Sequence, residues 1–519
     1  MDVNSQEILN PNYRLWFRIL RNISSGFGGT AIILLINLAL MPFVLEHIGK
    51  VGFGIWVLVN SLVGYMGFLD VGLQPTLVKK TSEYLAADDR EGLQKIVNTT
   101  LLIYVMVGLV VGIVVLALAP YLPDLLNVPD ADVSIFRMVV YIVGFQTAIG
   151  FPMTLWRGLV GGLQDYHAIN VINIASNLLR AALTYVLLLK GYGLLGLVWL
   201  GFARSALVWL GNYYWVRRRI PYLQITPRKV DFSKIRDLMK FSGSMFIWGL
   251  AGQSLGDLDK VLIGIFLPLS SIAVYEVGYR IYNYSRIILY SMIAILPTAA
   301  DLQVKKDTKS LTSLYLNGTR YLILVYAAAT AGLFVFGRAF IRLWLGAGYE
   351  ESAQVLYILL IGSLYQAQNV IAHVMLPGMN RLRVFTLIMS AYPVVKIVLG
   401  VFLIAEFGLP GIALATTMTY IVLETIFLFF ILKTFETTLP QLLRKVHLPA
   451  LLTVAPGVLI AVIFKFNNLV HSWVDLLLAA TGLLGIFGLS FIVMGMSIQE
   501  RKSVLSMGRI LLKKLEARP

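Results

Sequence analysis

The chain has 519 residues, 58% hydrophobic and only 13% charged, with a formal net charge of +16 and no cysteine. Soluble proteins carry about a quarter charged residues, so this composition excludes an ordinary soluble globule. The missing cysteines exclude disulfides and thiolate metal sites, and what remains is a polytopic membrane protein.

Residues 1–21 are polar and basic, and Arg14, Arg18 and Arg21 share one face of an amphipathic segment at 11–22 suited to the headgroup layer. The apolar run that follows has no small-residue cleavage site and reads as a retained first helix. Runs near the roughly 20 residues needed to cross the hydrocarbon core lie near 22–45, 51–73, 97–119, 135–156, 169–189 and 193–215. A basic connection, 217–240, separates them from spans near 241–266, 272–298, 316–337, 353–376, 385–405 and 409–432. Two more, 448–464 and 473–495, precede a basic amphipathic tail at 498–518.

Of the 43 Lys and Arg residues, 31 fall on one side of this threading and five on the other. By the positive-inside rule both termini are expected in the cytoplasm. The net charge is then explained by topology and contact with anionic lipids, and no nucleic-acid partner is needed.

The two sets of six spans resemble each other. "GLQDYHAINV" (162–171) pairs with "GMNRLRVFTL" (378–387), and "GYGLLGLVWLG" (191–201) with "EFGLPGIALAT" (406–416). "LAPYLPDLLN" (118–127) matches "VFGRAFIRLWLG" (335–346) in position, as "LQPTLVKK" (73–80) does "ILPTAADL" (295–302). The expected fold is an all-α polytopic membrane protein of about fourteen transmembrane helices, two pseudo-symmetric six-helix bundles plus two C-terminal helices. The expected domains are an N-terminal bundle at 1–216, a cytoplasmic linker at 217–240, a C-terminal bundle at 241–432, and the extra helices with their tail at 433–519. Parallel repeats are a transporter plan, with substrate bound between the halves near the midplane.

A charge at bilayer depth costs roughly 2.5–3.5 kcal/mol on translocon scales, so it faces the bundle interior or a wet cavity. Arg180, Arg204 and Lys396 each lie near the middle of a span with no acidic residue at i±3 or i±4. A cross-helix partner, water or a ligand must satisfy them, and a ligand-facing cavity is the favoured reading. Asn173 and Asn177 share the stripe of Arg180. Lys260 has Asp257 at i−3 and Arg280 has Glu276 at i−4, so local pairing and substrate contact compete there. Arg286 reads as structural or snorkelling, and Arg137 as snorkelling.

Asp257 and Asp259 point to nearly opposite sides of span seven. Glu424, alone on span twelve, is either a proton carrier or a partner for a neighbouring helix, and Asp70 reads as an inner-gate or helix-terminus residue. Polar stripes at Gln253, Asp257 and Lys260, and at Gln366, Asn369 and His373, add to a wet interior. No nucleotide loop, catalytic motif or metal cluster is present. Neither a cofactor nor an enzymatic activity is expected.

A cation-biased interior selects anions, and guanidinium suits phosphate. Two negative charges leaving an interior at about −100 mV gain roughly 4.6 kcal/mol.

The stretches "FVLEHIGKVGFGIW" (43–56), "FLDVGLQPTLVKKTSEYLAADDREGLQ" (68–94) and "LDKVLIGIFLPLSSIAVYEVGYRI" (258–281) resemble the polysaccharide transport family of bacterial inner membranes. These are the Wzx-type O-antigen and exopolysaccharide flippases, within the superfamily that includes multidrug and toxin extruders and lipid II flippases. The resemblance implies an alternating-access flippase in a bacterial inner membrane. It would move undecaprenyl-diphosphate-linked oligosaccharide from the inner to the outer leaflet, alongside other polysaccharide assembly proteins. The rival readings are a multidrug cation antiporter, which calls for unpaired carboxylates, and a membrane glycosyltransferase or O-antigen polymerase. Outer loops of about fifteen residues leave the last two little room.

Overall fold

The computed structural model describes residues 11–70, 72–233, 257–379, 381–466 and 470–495, and every regular element among them is a helix. In chain order the principal helices are α1 (Pro11–Met66), α2 (Leu73–Ala86), α3 (Arg90–Leu118), α4 (Val133–Gly162), α5 (Tyr166–Leu189) and α6 (Gly193–Arg219). They continue with α7 (257–266), α8 (Leu269–Ser285), α9 (Leu296–Val304), α10 (Thr308–Leu345) and α11 (Glu351–Gly378). The last are α12 (Leu382–Phe407), α13 (Leu409–Thr434), α14 (Leu448–Phe466) and α15 (Trp473–Ser490).

Twelve of the described helical stretches are long and apolar enough to cross a membrane. One of them, within α1, is broken at Gly49, whose φ of 67° and ψ of 173° divide two spans. A side chain is strained in that conformation, so glycine sits at the bend. Span seven starts in residues 241–256, outside the described residues, and continues as α7. The chain is thus an all-α polytopic membrane protein with about fourteen transmembrane helices.

The internal repeat is visible in the backbone. Before α3, Asp88 takes φ 50° and the Asp89 side chain accepts from Gly92 N at 2.8 Å. Before α10, Lys306 takes φ 53° and Asp307 accepts from Ser310 N at 3.0 Å. Each aspartate supplies the side-chain acceptor that a helix N-terminus lacks. After α4, Leu163 N bonds Leu159 O and Asp165 N bonds Val160 O; after α11, Met379 N bonds Met375 O and Arg381 N bonds Leu376 O. The turns into α6 and α13 both use a left-handed glycine, Gly193 at φ 53° and Gly408 at φ 59°. Asn127 and Gly346 likewise end their paired segments with φ 47° and 85°.

By contacts the chain forms two compact units that interleave along the sequence. The first comprises Ser25–Glu276 with Thr386–Ala415, the second Met1–Ser24, Val277–Phe385 and Thr416–Pro519. In the first, Phe53, Leu58, Tyr104, Phe136 and Leu159 are fully buried. In the second, Tyr315, Tyr326, Leu356, Ala367, Ile371 and Phe427 are. The added C-terminal helices pack on α10, where Phe336 meets Leu476, Ala479, Leu483 and Phe487.

The connection after α6 is strapped to the start of α3. Gln94 Nε2 donates to Tyr222 O at 3.0 Å, and Asn98 Nδ2 donates to Gln224 O at 3.0 Å while its Oδ1 accepts from Thr226 N at 2.7 Å. Thr99 Oγ1 accepts from Asp231 N at 3.0 Å, Arg90 lies over the Tyr222 ring, and Ile220 and Leu223 are buried beneath the strap.

Candidate functional site

Two groups of intramembrane charge lie within the first unit. In one, α7, α8 and α12 bring acids and lysines together. Lys260 Nζ is 3.2 Å from both Asp257 Oδ1 and Glu276 Oε2, and Ser61 Oγ on α1 donates to Asp257 at 3.2 Å. On the other side of α7, Lys396 Nζ is 2.8 Å from Asp259 Oδ1, and Tyr275 OH donates to Asp259 Oδ2 at 2.5 Å. The opposed directions of Asp257 and Asp259 thus give two adjoining ion-pair groups, with three acids on two lysines. Lys396 finds the cross-helix partner that its own helix lacks.

The second group is cationic. Arg180 Nη2 donates to Asn37 Oδ1 on α1 at 3.2 Å, a neutral acceptor. Asn177 Nδ2 donates to Asn173 O at 2.8 Å, which ties that amide to its own helix. Arg204 on α6 is half-buried and, among the described residues, has no hydrogen-bond or ion-pair partner; the charge it feels most is Arg157 on α4. Just before α2, Tyr104 OH donates to Asp70 Oδ1 at 2.6 Å, and Gln74 N to Oδ2 at 3.4 Å. Asp70 therefore caps the entry to α2. Arg137 is exposed, and its Nη2 donates to the backbone carbonyl of Pro120 at 3.2 Å.

The second unit carries its own polar interior. Arg286, just past α8, is 7% exposed, so it does not snorkel. Its guanidinium carbon stands 5.4, 5.2 and 5.8 Å from the ring centroids of Tyr282, Tyr290 and Tyr420, and Nη2 donates to Gln366 Oε1 at 3.1 Å. Its charge is met by π-faces, and among the described residues no carboxylate pairs with it. Further along the same helices, Asn369 Nδ2 donates to Glu424 Oε2 at 2.7 Å and His373 Nε2 lies 3.2 Å from the same oxygen. Glu424 thus has the neighbouring-helix partners that were one of its two expectations. Arg280 is half-buried on α8.

The structure therefore brings together Asp257, Lys260 and Glu276, and Asp259 with Lys396. It gives Arg180, Arg204 and Lys396 three different sets of neighbours. Gln253 lies outside the described residues. Sequence reading missed Asn37, Tyr275 and the tyrosines around Arg286. Tyr282 and Tyr290 stand at i±4 from Arg286, a spacing open to inspection; Asn37, Tyr275 and Tyr420 act across helices and leave no local signal. Among the described residues no group of three potential metal ligands occurs.

A family model described as "Polysaccharide biosynthesis protein" matches residues 19–303, and one described as "Lipid II flippase MurJ" matches residues 209–483. The "Putative O-antigen transporter" of Shigella flexneri is 20% identical over 409 residues, covering 78% of this chain and 95% of that protein. The "Probable low-salt glycan biosynthesis flippase Agl15" of Haloferax volcanii is 24% identical over 196 residues, 38% of this chain and 42% of that one. Among solved structures, lipid II flippase MurJ in an inward closed conformation aligns with a TM-score of 0.72 at 12% identity, covering 90% of this chain and 97% of that one. An inward-facing multidrug resistance MATE family transporter aligns with a TM-score of 0.67 at 16% identity, covering 78% and 94%. The structural likenesses show a shared fold, and the first family model spans more than half of the chain. The chain belongs to the polysaccharide biosynthesis protein family and matches the lipid II flippase family over more than half of its length, families of flippases and not of enzymes.

Proposed function

We propose that this flippase carries undecaprenyl-diphosphate-linked oligosaccharide from the inner to the outer leaflet by alternating access. In this reading the polyprenyl tail stays in the bilayer while the diphosphate and sugars pass a polar interior. The observation that carries it is the presence of Arg204 and Arg286, one in each unit, without a carboxylate partner among the described residues. A positive charge kept unneutralised at membrane depth is costly and finds its counter-charge in an anionic cargo. Arg180 with Asn173 and Asn177, and Arg280, would add donors along the route. Lys260 and Lys396, already facing acids, would set the charge balance more than grip the cargo. Glu424 with His373, and the group of Asp257, Asp259 and Glu276, are the proposed carriers of a coupling ion. A bacterial inner membrane, cytoplasmic termini and contact with anionic lipids fit the one-sided distribution of lysine and arginine.

The test is the thermal stability of the purified protein with undecaprenyl-diphosphate glycans and, separately, lipophilic cations. At a hundred times its dissociation constant a ligand stabilises by about 2.7 kcal/mol. The glycolipid is expected to stabilise the wild type, and Arg204→Ala and Arg180→Ala to lose that response. Stabilisation by cations alone overturns the assignment in favour of a drug exporter.

A further inference from the structure

At the N-terminal end of α10 a cavity of about 420 Å³ is lined by Thr308, Lys309, Thr312, Ser313, Asn317, Glu436 and Lys445 among others. Further along, an apolar groove of about 430 Å³ runs between α10, α11 and α14, past Ile323, Ala327, Ala331, Phe334, Leu451 and Val454. The two lie on one face of α10: residues 309, 313 and 316 at the cavity and 323, 327, 330 and 334 at the groove each keep three- and four-residue spacing, with a step of two helical turns, about 10 Å, between the sets. On the facing side, the chain passes from Glu436 and Lys445 at the cavity to His447, Ala450 and Val458 at the groove.

From this geometry we infer that the seam between α10 and α14 is a binding site for one phospholipid with a phosphate and a primary ammonium in its headgroup. The cavity offers two ammonium groups with hydroxyl and amide side chains for a phosphate, and one carboxylate for a cation. Among the described residues Lys309, Lys445 and Glu436 make no ion pair, with one another or with any other group. All three are exposed and line the same cavity without pairing with one another. A purely anionic headgroup would leave Glu436 beside a phosphate, and a quaternary ammonium has no N–H to donate to it. The groove from Ile323 to Val335 is about 18 Å long at 1.5 Å per residue, close to one leaflet's half of a hydrocarbon core about 30 Å thick. That length suits an ordinary acyl chain lying in a single leaflet. The site shares no residue with the arginines proposed to meet the cargo.

The delipidated full chain would be unfolded by heat in detergent with phosphatidylethanolamine, phosphatidylcholine or phosphatidylglycerol of matched chains, and with inorganic phosphate. Phosphatidylethanolamine is expected to raise Tm most. Lys309→Ala with Lys445→Ala should remove the response, and Glu436→Gln should cut the preference over phosphatidylcholine about tenfold, the value of one charged hydrogen bond. Ala331→Trp, which fills the groove, should weaken retention of the lipid. An equal or larger shift with phosphatidylglycerol, or with phosphate alone, overturns the inference. So does a Glu436→Gln protein that folds normally and keeps its preference, which remains decisive even if the double lysine variant fails to fold.

Discussion

Lys396 on α12 and Asp259 on α7 form an ion pair 2.8 Å long in which the side chains are 0% and 1% exposed. Breaking such a pair from one side strands a charge where water cannot reach it. Lys396→Met or Asp259→Asn alone should therefore cost about 3–5 kcal/mol. Combining Lys396→Met with Asp259→Asn should recover most of that loss, because the remaining amide still accepts from Tyr275. Thermal unfolding of the four proteins measures the coupling, and additive losses would show that the two side chains do not depend on each other.

Arg286 should behave in the opposite way. It is a buried charge held by tyrosine rings and Gln366, and an apolar side chain of similar length removes its desolvation cost. Arg286→Met is expected to melt at or above the wild-type temperature while losing glycan export in a complementation assay. A variant that melts several degrees lower with export intact would mark the arginine as a packing element only.

The strap on α3 makes a local prediction. Asn98→Ala removes two hydrogen bonds to the backbone of the connection and leaves buried groups unsatisfied, at about 1–3 kcal/mol. Limited proteolysis should then cut within 220–231 in the variant and not in the wild type. Equal resistance in both proteins would mean the strap is held by Ile220 and Leu223 instead.

Asp307 carries a pH signature. Its hydrogen bonds from Ser310, by hydroxyl and by N–H, hold its carboxylate below the usual range. A lowered folded-state pKa adds stability that is complete above the unfolded value of about 3.9 and fades as pH falls through the folded value. The Tm gap between wild type and Asp307→Ala should stay constant from neutral pH down to about 4 and close below that. A gap that widens in acid would contradict the assignment.

The repeat can be tested at matched glycines. Gly193 and Gly408 adopt nearly the same left-handed φ, so alanine at either should cost about 1–2 kcal/mol. Similar losses in Tm at both sites are the expected result.

Much of the architecture was legible because the membrane leaves few alternatives. Hydrocarbon demands internally satisfied backbone, so apolar length located the spans and the breaks between them. Two of the repeated turns, Gly193 with Gly408 and Asn127 with Gly346, fall in stretches that the sequence pairs, because left-handed positions favour Gly and Asn; the turn at Asp88 and Lys306 was not legible, since lysine gives no such signal. The pairing of charges was less so. Asp257 with Lys260 is an i,i+3 contact, open to inspection, whereas Lys396 with Asp259 and Arg180 with Asn37 join helices distant in sequence. Arg286 was read as structural or snorkelling because two of its three aromatic neighbours, though one helical turn away, carry no formal charge.

The tyrosine surround of Arg286 also sets how the protein answers to ionic strength. Exposed lysines and arginines are screened over about 10 Å in 0.1 M salt, so concentrated salt weakens the attraction they exert on anions. Arg286 is 7% exposed beside three aromatic rings, so bulk salt screens its guanidinium much less than it screens the surface charges. Transport measured across a salt series therefore separates the electrostatics of the rim from those of the interior without changing a residue.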